Sequence, residues 1–103
     1  MSDFPLVEAG PDVSRKVLAD HPDLMVVAFS FGAVGATGAL HNHPHVQSTF
    51  VESGRFRFTL GDAVREVGPG DSFVVHSGVT HGCVCLEPGR LIDSFTPRRD
   101  DFL

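Results

Sequence analysis

Metal-binding side chains recur at alternate positions of one short segment, and another histidine follows far downstream. The segment runs His41-Asn42-His43-Pro44-His45-Val46-Gln47, and the distant residue is His81. Because side chains alternate between the faces of an extended strand, the three histidines and Gln47 are predicted to project to one side. Imidazoles gathered on one surface are costly to bury without a partner, and a divalent metal is such a partner. The pattern therefore predicts a metal site with unprotonated imidazole ligands.

Two cysteines, Cys83 and Cys85, lie one residue apart shortly after His81. Neighbours on one strand face do not meet the narrow geometric requirements of a disulfide. They share the parity of His81, so we expect reduced, buried thiols that line the same cavity. A role as small core side chains is favoured over a thiolate metal site.

Length and charge restrict the classes of function. A chain of 103 residues with a formal charge of −5 is expected to form one domain. The negative charge and the lack of a basic run argue against a nucleic-acid partner. An anionic small molecule remains compatible, because local arginines rather than net charge would bind it. The first residues, Met1 to Pro5, show neither a signal peptide nor a membrane span, so the expectation is a cytoplasmic protein without a membrane partner.

Short segments rich in Val and Phe alternate with turn residues throughout the chain, which is typical of an all-β fold. Turns are expected at Pro22-Asp23, Ser53-Gly54, Gly61-Asp62 and Pro69-Gly70, with a hairpin at Ser53-Gly54 and a type II turn at Pro69-Gly70. No helix is predicted. Roughly nine strands are expected: Val13–Ala19, Leu24–Phe31, the histidine strand, Gln47–Glu52, Arg55–Leu60, Ala63–Val67, Ser72–His76, Thr80–Leu86 and Arg90–Phe95.

Two groups of glycines and histidines resemble the two motifs of the cupin superfamily. The first group is Gly35, His41, His43, Gln47 and Gly54, and the second is Gly70, His76, Gly78, His81 and Cys85. Cupins normally carry Glu at the position of Gln47. In the second motif, Pro and Asn usually stand at the positions of His76 and Cys85.

This resemblance implies a single-domain antiparallel jelly-roll barrel with one divalent metal ion, Ni, Zn, Fe, Mn or Co, in its mouth. Residues 1–34 would form N-terminal strands, 35–96 the cupin core and 97–103 a tail that closes the pocket. The neutral Gln47 predicts weaker metal binding and a stronger attraction for an anion. His45 is not a ligand in the motif, so we expect it in the pocket wall, in contact with substrate. The implied metal ligands are His41, His43, Gln47 and His81.

The chain end, Leu91 to Leu103, resembles the KdgF family of cupins, as do the runs His43 to Gln47 and Ser53 to Phe56. Members of that family open the ring of 4,5-unsaturated uronates, released by polysaccharide lyases, to linear 5-keto sugar acids. The resemblance implies a small anionic sugar acid as substrate and a homodimer. It also assigns functional roles to Asp93, Phe95 and Arg99. Strand parity independently places Asp93 and Phe95 on one face.

The expected substrate is a cyclic enol ether conjugated to a carboxylate. A metal that binds the carboxylate and ring oxygen would polarise it. Asp93 would deliver a proton to C4 or activate water for attack at C5, and both roles stay open. A nearby dication lowers the pKa of an aspartate and favours the second role. Arg99 would pair with the carboxylate, and Phe95 would form an apolar wall.

Other functions are compatible with a cupin barrel, since one fold carries many activities. One alternative is a dioxygenase or isomerase that acts on another small acid. A dioxygenase would need a redox metal and would consume oxygen. A further alternative is a non-catalytic sugar-binding cupin, which would bind metal and ligand without needing Asp93.

Overall fold

The computed structural model describes residues 3–103, which form an antiparallel all-β domain. No helix in this part of the chain has the length and apolar character that crossing a membrane requires. A single 3-10 turn, Asp100–Phe102, lies near the C-terminus. The strands are β1 (Val7–Gly10), β2 (Val13–His21), β3 (Leu24–Phe31), β4 (Thr37–His41), β5 (Val46–Leu60), β6 (Ala63–Val67), β7 (Ser72–Val75) and β8 (His81–Thr96).

The long strands β5 and β8 hold the fold together. The strand order is β1-β2-β3-β8-β5-β6, with β4 paired to β8 and β7 paired to β5. The start of β5 pairs with the end of β8, from Val46–Thr96 to Val51–Leu91, and the end of β5 pairs with the start of β8. Each long strand bends between its two halves, so the sheet curves around the interior. The all-β prediction is confirmed.

The hairpin predicted at Ser53-Gly54 is wrong, because β5 continues through these residues. The pairing of β5 with β8 shifts register at Ser53 and again at Arg55, so the segment is an irregular, bulged part of one strand. The two strands predicted on either side of residues 87–89 are likewise one strand, β8. A glycine within a strand marks a bulge as well as a turn, and the local pattern does not separate them. These two mergers reduce the nine predicted strands to seven, and β1 (Val7–Gly10), which was not predicted, brings the number in the described residues to eight.

The predicted histidine strand is also interrupted. Strand β4 ends at His41 and β5 begins at Val46, so residues 42–45 form an irregular connection. Pro44 provides the physical reason, because proline cannot donate a hydrogen bond to a strand ladder. The remaining turns are confirmed at Pro22-Asp23, Gly61-Asp62 and Pro69-Gly70. Gly70 has a φ of +90°, as the third position of a type II turn requires.

The core consists of two apolar clusters of buried side chains. The larger includes Phe31 and Phe56, whose rings meet edge to face at 5.1 Å. The smaller contains Val17, Met25, Val27 and Phe95. Because Phe95 belongs to this cluster, the end of β8 has a rigid apolar support.

Strands β5 and β8 approach each other closely at Gly89, so we expect a side chain at this position to destabilise the fold. A Cβ atom on Gly89 would overlap the backbone of Ser53, whereas one on Gly32 would lie 3.7 Å from its nearest neighbour, the oxygen of Asp12. We expect Gly89→Ala to lower the free energy of unfolding by about 2 to 4 kcal/mol and Gly32→Ala by less than about 1 kcal/mol. Thermal and urea unfolding measure both. Equal stability of the two variants would contradict this account of the crossing.

Candidate metal centre

Three of the predicted ligands come together at one end of the barrel. His41 lies at the end of β4, His43 in the following connection and His81 at the start of β8, where it pairs with His41. The ring centroids are 4.4 Å apart for His41 and His81, and 4.8 Å for His43 and His81. One ring nitrogen from each residue lies within 4.8 Å of the others. These three histidines can hold a metal ion.

Backbone hydrogen bonds fix the tautomer of each ring. A carbonyl oxygen only accepts, so each Nδ1 must carry the hydrogen and donate it. In a neutral imidazole, Nε2 then presents a lone pair. The donor–acceptor distances are 2.7 Å from His41 to Ala39, 3.1 Å from His43 to His45, and 2.9 Å from His81 to Val79.

The environment of these rings fits a metal better than an ordinary core role. The Nε2 atom of His81 is buried and has no hydrogen-bond partner among the described residues. Burial lowers the pKa of His81 and that of His43, which favours their neutral forms. Buried lone pairs that converge without a donor are costly, and a cation relieves this cost.

The side-chain oxygen of Gln47 lies beside the ring nitrogen of His43 that faces the candidate metal site. Its Oε1 lies 3.0 Å from Nε2 of His43. Its amide nitrogen donates to Oγ1 of Thr49 at 3.0 Å, so the amide oxygen is the atom that faces His43. Two acceptors at this distance repel each other unless a cation lies between them. The separation is close to that between adjacent ligands in an octahedral site with bonds of about 2.1 Å. The donor set therefore fits a divalent metal.

A cavity of about 350 Å³ opens beside the three histidines. Most of the predicted site residues line it: His41, Gln47, His81, Asp93, Phe95 and Arg99. His43 is buried beside the ring of Phe95, with the two ring centroids 5.7 Å apart. The topology thus places the predicted ligands and the predicted functional residues in one location.

Asp93 is the buried carboxyl group of the cavity. The hydroxyl of Thr49, its direct neighbour across the β5–β8 pair, donates to Oδ1 at 2.6 Å. Burial raises the pKa of Asp93 to about 7, against the opposing effects of Thr49 and Arg99. Both protonation states are therefore accessible near neutral pH, as a proton-transfer group requires.

The C-terminal tail forms part of the cavity wall through Arg99 and Phe102. Two nitrogens of Arg99, Nε and Nη2, donate to the carboxylate of Asp101 at 2.9 and 2.8 Å. Its guanidinium carbon lies 5.1 Å from the ring centroid of Phe95 and 4.2 Å from that of Phe102. Arg99 thus lies against two aromatic rings with its charge already paired to a carboxylate of the tail.

His45 is not among the residues that line the cavity, and its contact with substrate stays a prediction. The break in the strand at Pro44 changes the alternation, and His45 turns toward the tail. Its Nε2 lies 3.0 Å from the carbonyl oxygen of Arg98. His45 therefore anchors the backbone next to Arg99.

The two cysteines are buried and reduced, as predicted, but only Cys83 lines the cavity. Burial raises the pKa of the Cys83 thiol to about 12, so it is a poor metal ligand. Cys85 is fully buried in the larger apolar cluster. Cys83 belongs to the same cluster and also reaches the cavity.

Sequence reasoning missed three residues of the site: Thr49, Arg15 and Phe102. Thr49 follows Gln47 by two positions, so strand alternation already places it on the same face. Arg15 stands between Val13 and Val17 at an inward position of β2. Phe102 had no local signal, because its place depends on the folding of the tail over the barrel.

Comparisons with known proteins agree with this geometry. Residues 32–95 match the Cupin domain family. The chain is 39% identical over 101 residues to the pectin degradation protein KdgF of Dickeya dadantii (strain 3937), covering 96% of this chain and 91% of the relative. It belongs to the KdgF family of cupins. Two solved structures share the whole barrel. KdgF from Halomonas sp. has a TM-score of 0.91 and 41% identity, covering 98% of this chain and 93% of its own.

The second structure is an RmlC-like cupin from Shewanella frigidimarina, with a TM-score of 0.92 and 36% identity over 98% of this chain and 90% of its own. The predicted resemblance to KdgF cupins and the predicted cupin barrel are therefore confirmed. The similarity extends beyond the two metal motifs, because both matches also cover the N-terminal strands.

The buried carboxyl group of Asp93 predicts that the stability of this KdgF-family protein depends on pH. The prediction applies to protein treated with a chelator, so that no metal contributes to the stability. The folded pKa of Asp93, about 7, lies above its usual value of 3.8, so the folded state binds the proton more tightly. Stability is then lost as the pH rises from about 4 to about 7. We expect Asp93→Asn to gain stability over the wild type across this range, by roughly 2 to 4 kcal/mol at pH 7.5.

Urea unfolding at a series of pH values measures this difference. The variant Asp62→Asn, in an exposed turn, serves as the control and should follow the wild type at every pH. Parallel stability curves for the wild type and Asp93→Asn would show that the carboxyl group carries no burial penalty.

Proposed function

We propose that this protein is an enzyme that opens the ring of 4,5-unsaturated uronate monosaccharides to give linear 5-keto-4-deoxyuronates. The observation that carries the proposal is the buried carboxyl of Asp93 in a cavity beside three histidines. Hydrogen bonds run from the Gln47 amide to Thr49 and from the Thr49 hydroxyl to this carboxyl, and the Gln47 oxygen faces Nε2 of His43. The relative from Dickeya dadantii is named a pectin degradation protein, which supports a role in pectin breakdown. The proposal includes alginate-type polysaccharides as a second source of unsaturated uronates.

We propose Gln47 as the fourth protein ligand of a divalent ion held by His41, His43 and His81. The orientation of the amide supports this assignment, because Thr49 accepts from its nitrogen and leaves its oxygen toward His43. When bound, the ion would act as a Lewis acid toward oxygens of the substrate. Imidazole and amide donors are compatible with Ni, Zn, Fe, Mn and Co, so the donor set selects none of them.

Asp93 would carry the proton. Ring opening requires a proton at C4 and attack of water at C5, after which the hemiketal opens and C5 becomes a ketone. The Thr49 hydroxyl occupies Oδ1 of Asp93, so Oδ2 is the oxygen available to hold or release a proton. Burial favours the protonated form and delivery to C4, whereas a bound dication favours the carboxylate and activation of water. One carboxyl group with both states accessible can serve each step.

Arg99 and Phe95 would shape the space for the sugar. Phe95 offers an apolar ring beside Asp93 on the same strand face. Asp101 holds the fork of Arg99, so Arg99 contributes a fixed positive charge at the cavity wall. His45 contributes indirectly, through its contact with the backbone of Arg98.

The test is a ring-opening assay with the metal-loaded protein and 4,5-unsaturated uronate monosaccharides from pectin and from alginate. Loss of the ultraviolet absorbance of the conjugated enol ether reports the reaction, and NMR identifies the C5 ketone. We expect the wild type to exceed the buffer rate, and Asp93→Asn to lose about a hundredfold or more. Thr49→Val should lose less, because it removes only the hydrogen bond that orients Asp93.

The controls separate catalysis from folding and metal binding. Asp93→Asn should retain the metal content of the wild type, Asp62→Asn should retain full activity, and chelation should abolish it. If the wild type is no faster than buffer with either uronate, the proposal fails. Absorbance loss accompanied by oxygen uptake would instead indicate a dioxygenase.

A further inference from the structure

Arg15 lines the cavity with a charged side chain, although the alternation of buried residues along β2 predicts an apolar side chain at this position. Val13, Arg15 and Val17 share one face of β2, and both valines are buried in the core. Arg15 lines the cavity together with Asp93 and the histidines. An inward arginine in a small barrel is costly to desolvate, so its presence in this wall requires a compensating partner.

The charge of Arg15 has no carboxylate partner among residues 3–103. Its guanidinium carbon lies 4.5 Å from the ring centroid of Phe102. Arg99 lies against the same ring at 4.2 Å, but Asp101 pairs with Arg99. The other arginines that lack an ion pair in this part of the chain, Arg57 and Arg65, are exposed on the outer surface of the barrel. Arg15 is therefore the cavity arginine whose planar fork is free to bind an anion.

The sheet register places Arg15 close to the reacting end of the cavity. Arg15 pairs with Phe29 on β3, and Phe29 pairs with Leu91 on β8. Asp93 lies two residues further along β8 on the same face. Arg15 and Asp93 thus occupy adjacent rows of one concave surface, two strands apart. A monosaccharide in contact with Asp93 lies within reach of the long Arg15 side chain.

We propose that Arg15 binds the carboxylate of the sugar acid and thereby selects uronates over neutral sugars. The inference rests on the proposed function and names the group that recognises its substrate. A planar, bidentate guanidinium matches the geometry of a carboxylate. Arg99 is less suited to this contact, because Asp101 already occupies two of its nitrogens.

A structural role for Arg15 would have different consequences. If the side chain served only to hold Phe102, Arg15→Lys would keep a cation above the ring and behave as the wild type. Arg15→Met would then lower thermal stability and kcat together. A carboxylate-binding residue instead affects KM and ligand affinity, and Lys replaces it poorly because it lacks the fork.

The experiment measures binding and turnover separately. Calorimetry with metal-loaded protein compares D-galacturonate with its neutral counterpart D-galactose, for wild type, Arg15→Met, Arg15→Lys and the outer-surface control Arg65→Met. We expect the wild type and the control to prefer galacturonate. Both Arg15 variants should lose this preference by about tenfold or more, with galactose binding unchanged. With an unsaturated uronate, the Arg15 variants should raise KM and leave kcat within about threefold.

The binding and turnover measurements together distinguish failure of this inference from failure of the proposed function. Retained galacturonate preference in either folded Arg15 variant would overturn the role of Arg15, even if ring opening is observed. Absence of any preference in the wild type would overturn it as well. Loss of the preference in a protein that opens no uronate ring would support Arg15 as a carboxylate site and reject the proposed reaction.

Discussion

The site depends on the hydrogen bonds that tie three imidazole rings to their own backbone. Each Nδ1 of His41, His43 and His81 donates to a carbonyl oxygen two residues away. Each ring therefore has its orientation and its tautomer set before any ligand binds, and the Nε2 lone pairs converge. Such preorganisation reduces the entropy that metal binding must overcome. The pairing of β4 with β8 makes the convergence possible, because it brings His41 opposite His81, a residue distant in sequence.

A chain of side-chain contacts leads from the ring of His43 to the buried carboxyl group of Asp93. The oxygen of Gln47 faces His43, its amide nitrogen donates to Thr49, and the Thr49 hydroxyl donates to Asp93. Glutamate at position 47 would lack the amide donor and would compete with Asp93 for the Thr49 hydroxyl. The neutral amide therefore has a structural explanation in this chain, because it leaves Asp93 as the carboxyl group that receives this hydrogen bond. Side chains on two adjacent strands thus connect the proposed metal ligand Gln47 to the buried carboxyl group of Asp93.

The part of the site that follows from strand alternation and motif spacing was predictable from the sequence. The spacing of the cupin motifs predicts His41, His43, Gln47 and His81 as metal ligands. Side-chain alternation along the last strand predicts that Asp93 and Phe95 share one face. Strand alternation does not apply to His45, because Pro44 interrupts the strand and side chains alternate regularly only within a continuous strand. The glycine breaks within β5 and β8 predict separate strands, since a glycine has the same local appearance in a bulge and in a hairpin.

The partners of the arginines could not be predicted by any local rule. The pairing of Arg99 with Asp101 and the packing of Arg15 against Phe102 depend on how the tail folds over the barrel. The pKa of Asp93 likewise depends on burial from several strands, which parity alone does not measure. Long-range packing therefore determines the charge of the cavity, whereas the local sequence pattern determines which residues can bind a metal.

The most direct test of the central claim is a long-range ¹H–¹⁵N NMR spectrum of the histidine rings, recorded on metal-free protein above the histidine pKa values and again after addition of Zn²⁺. We expect the Nδ1–H tautomer for His41, His43 and His81 in the free protein, and a Zn²⁺-induced shift of their Nε2 resonances while exposed His76 is unaffected. Nε2–H tautomers at these three rings, or shifts confined to other histidines, would contradict it.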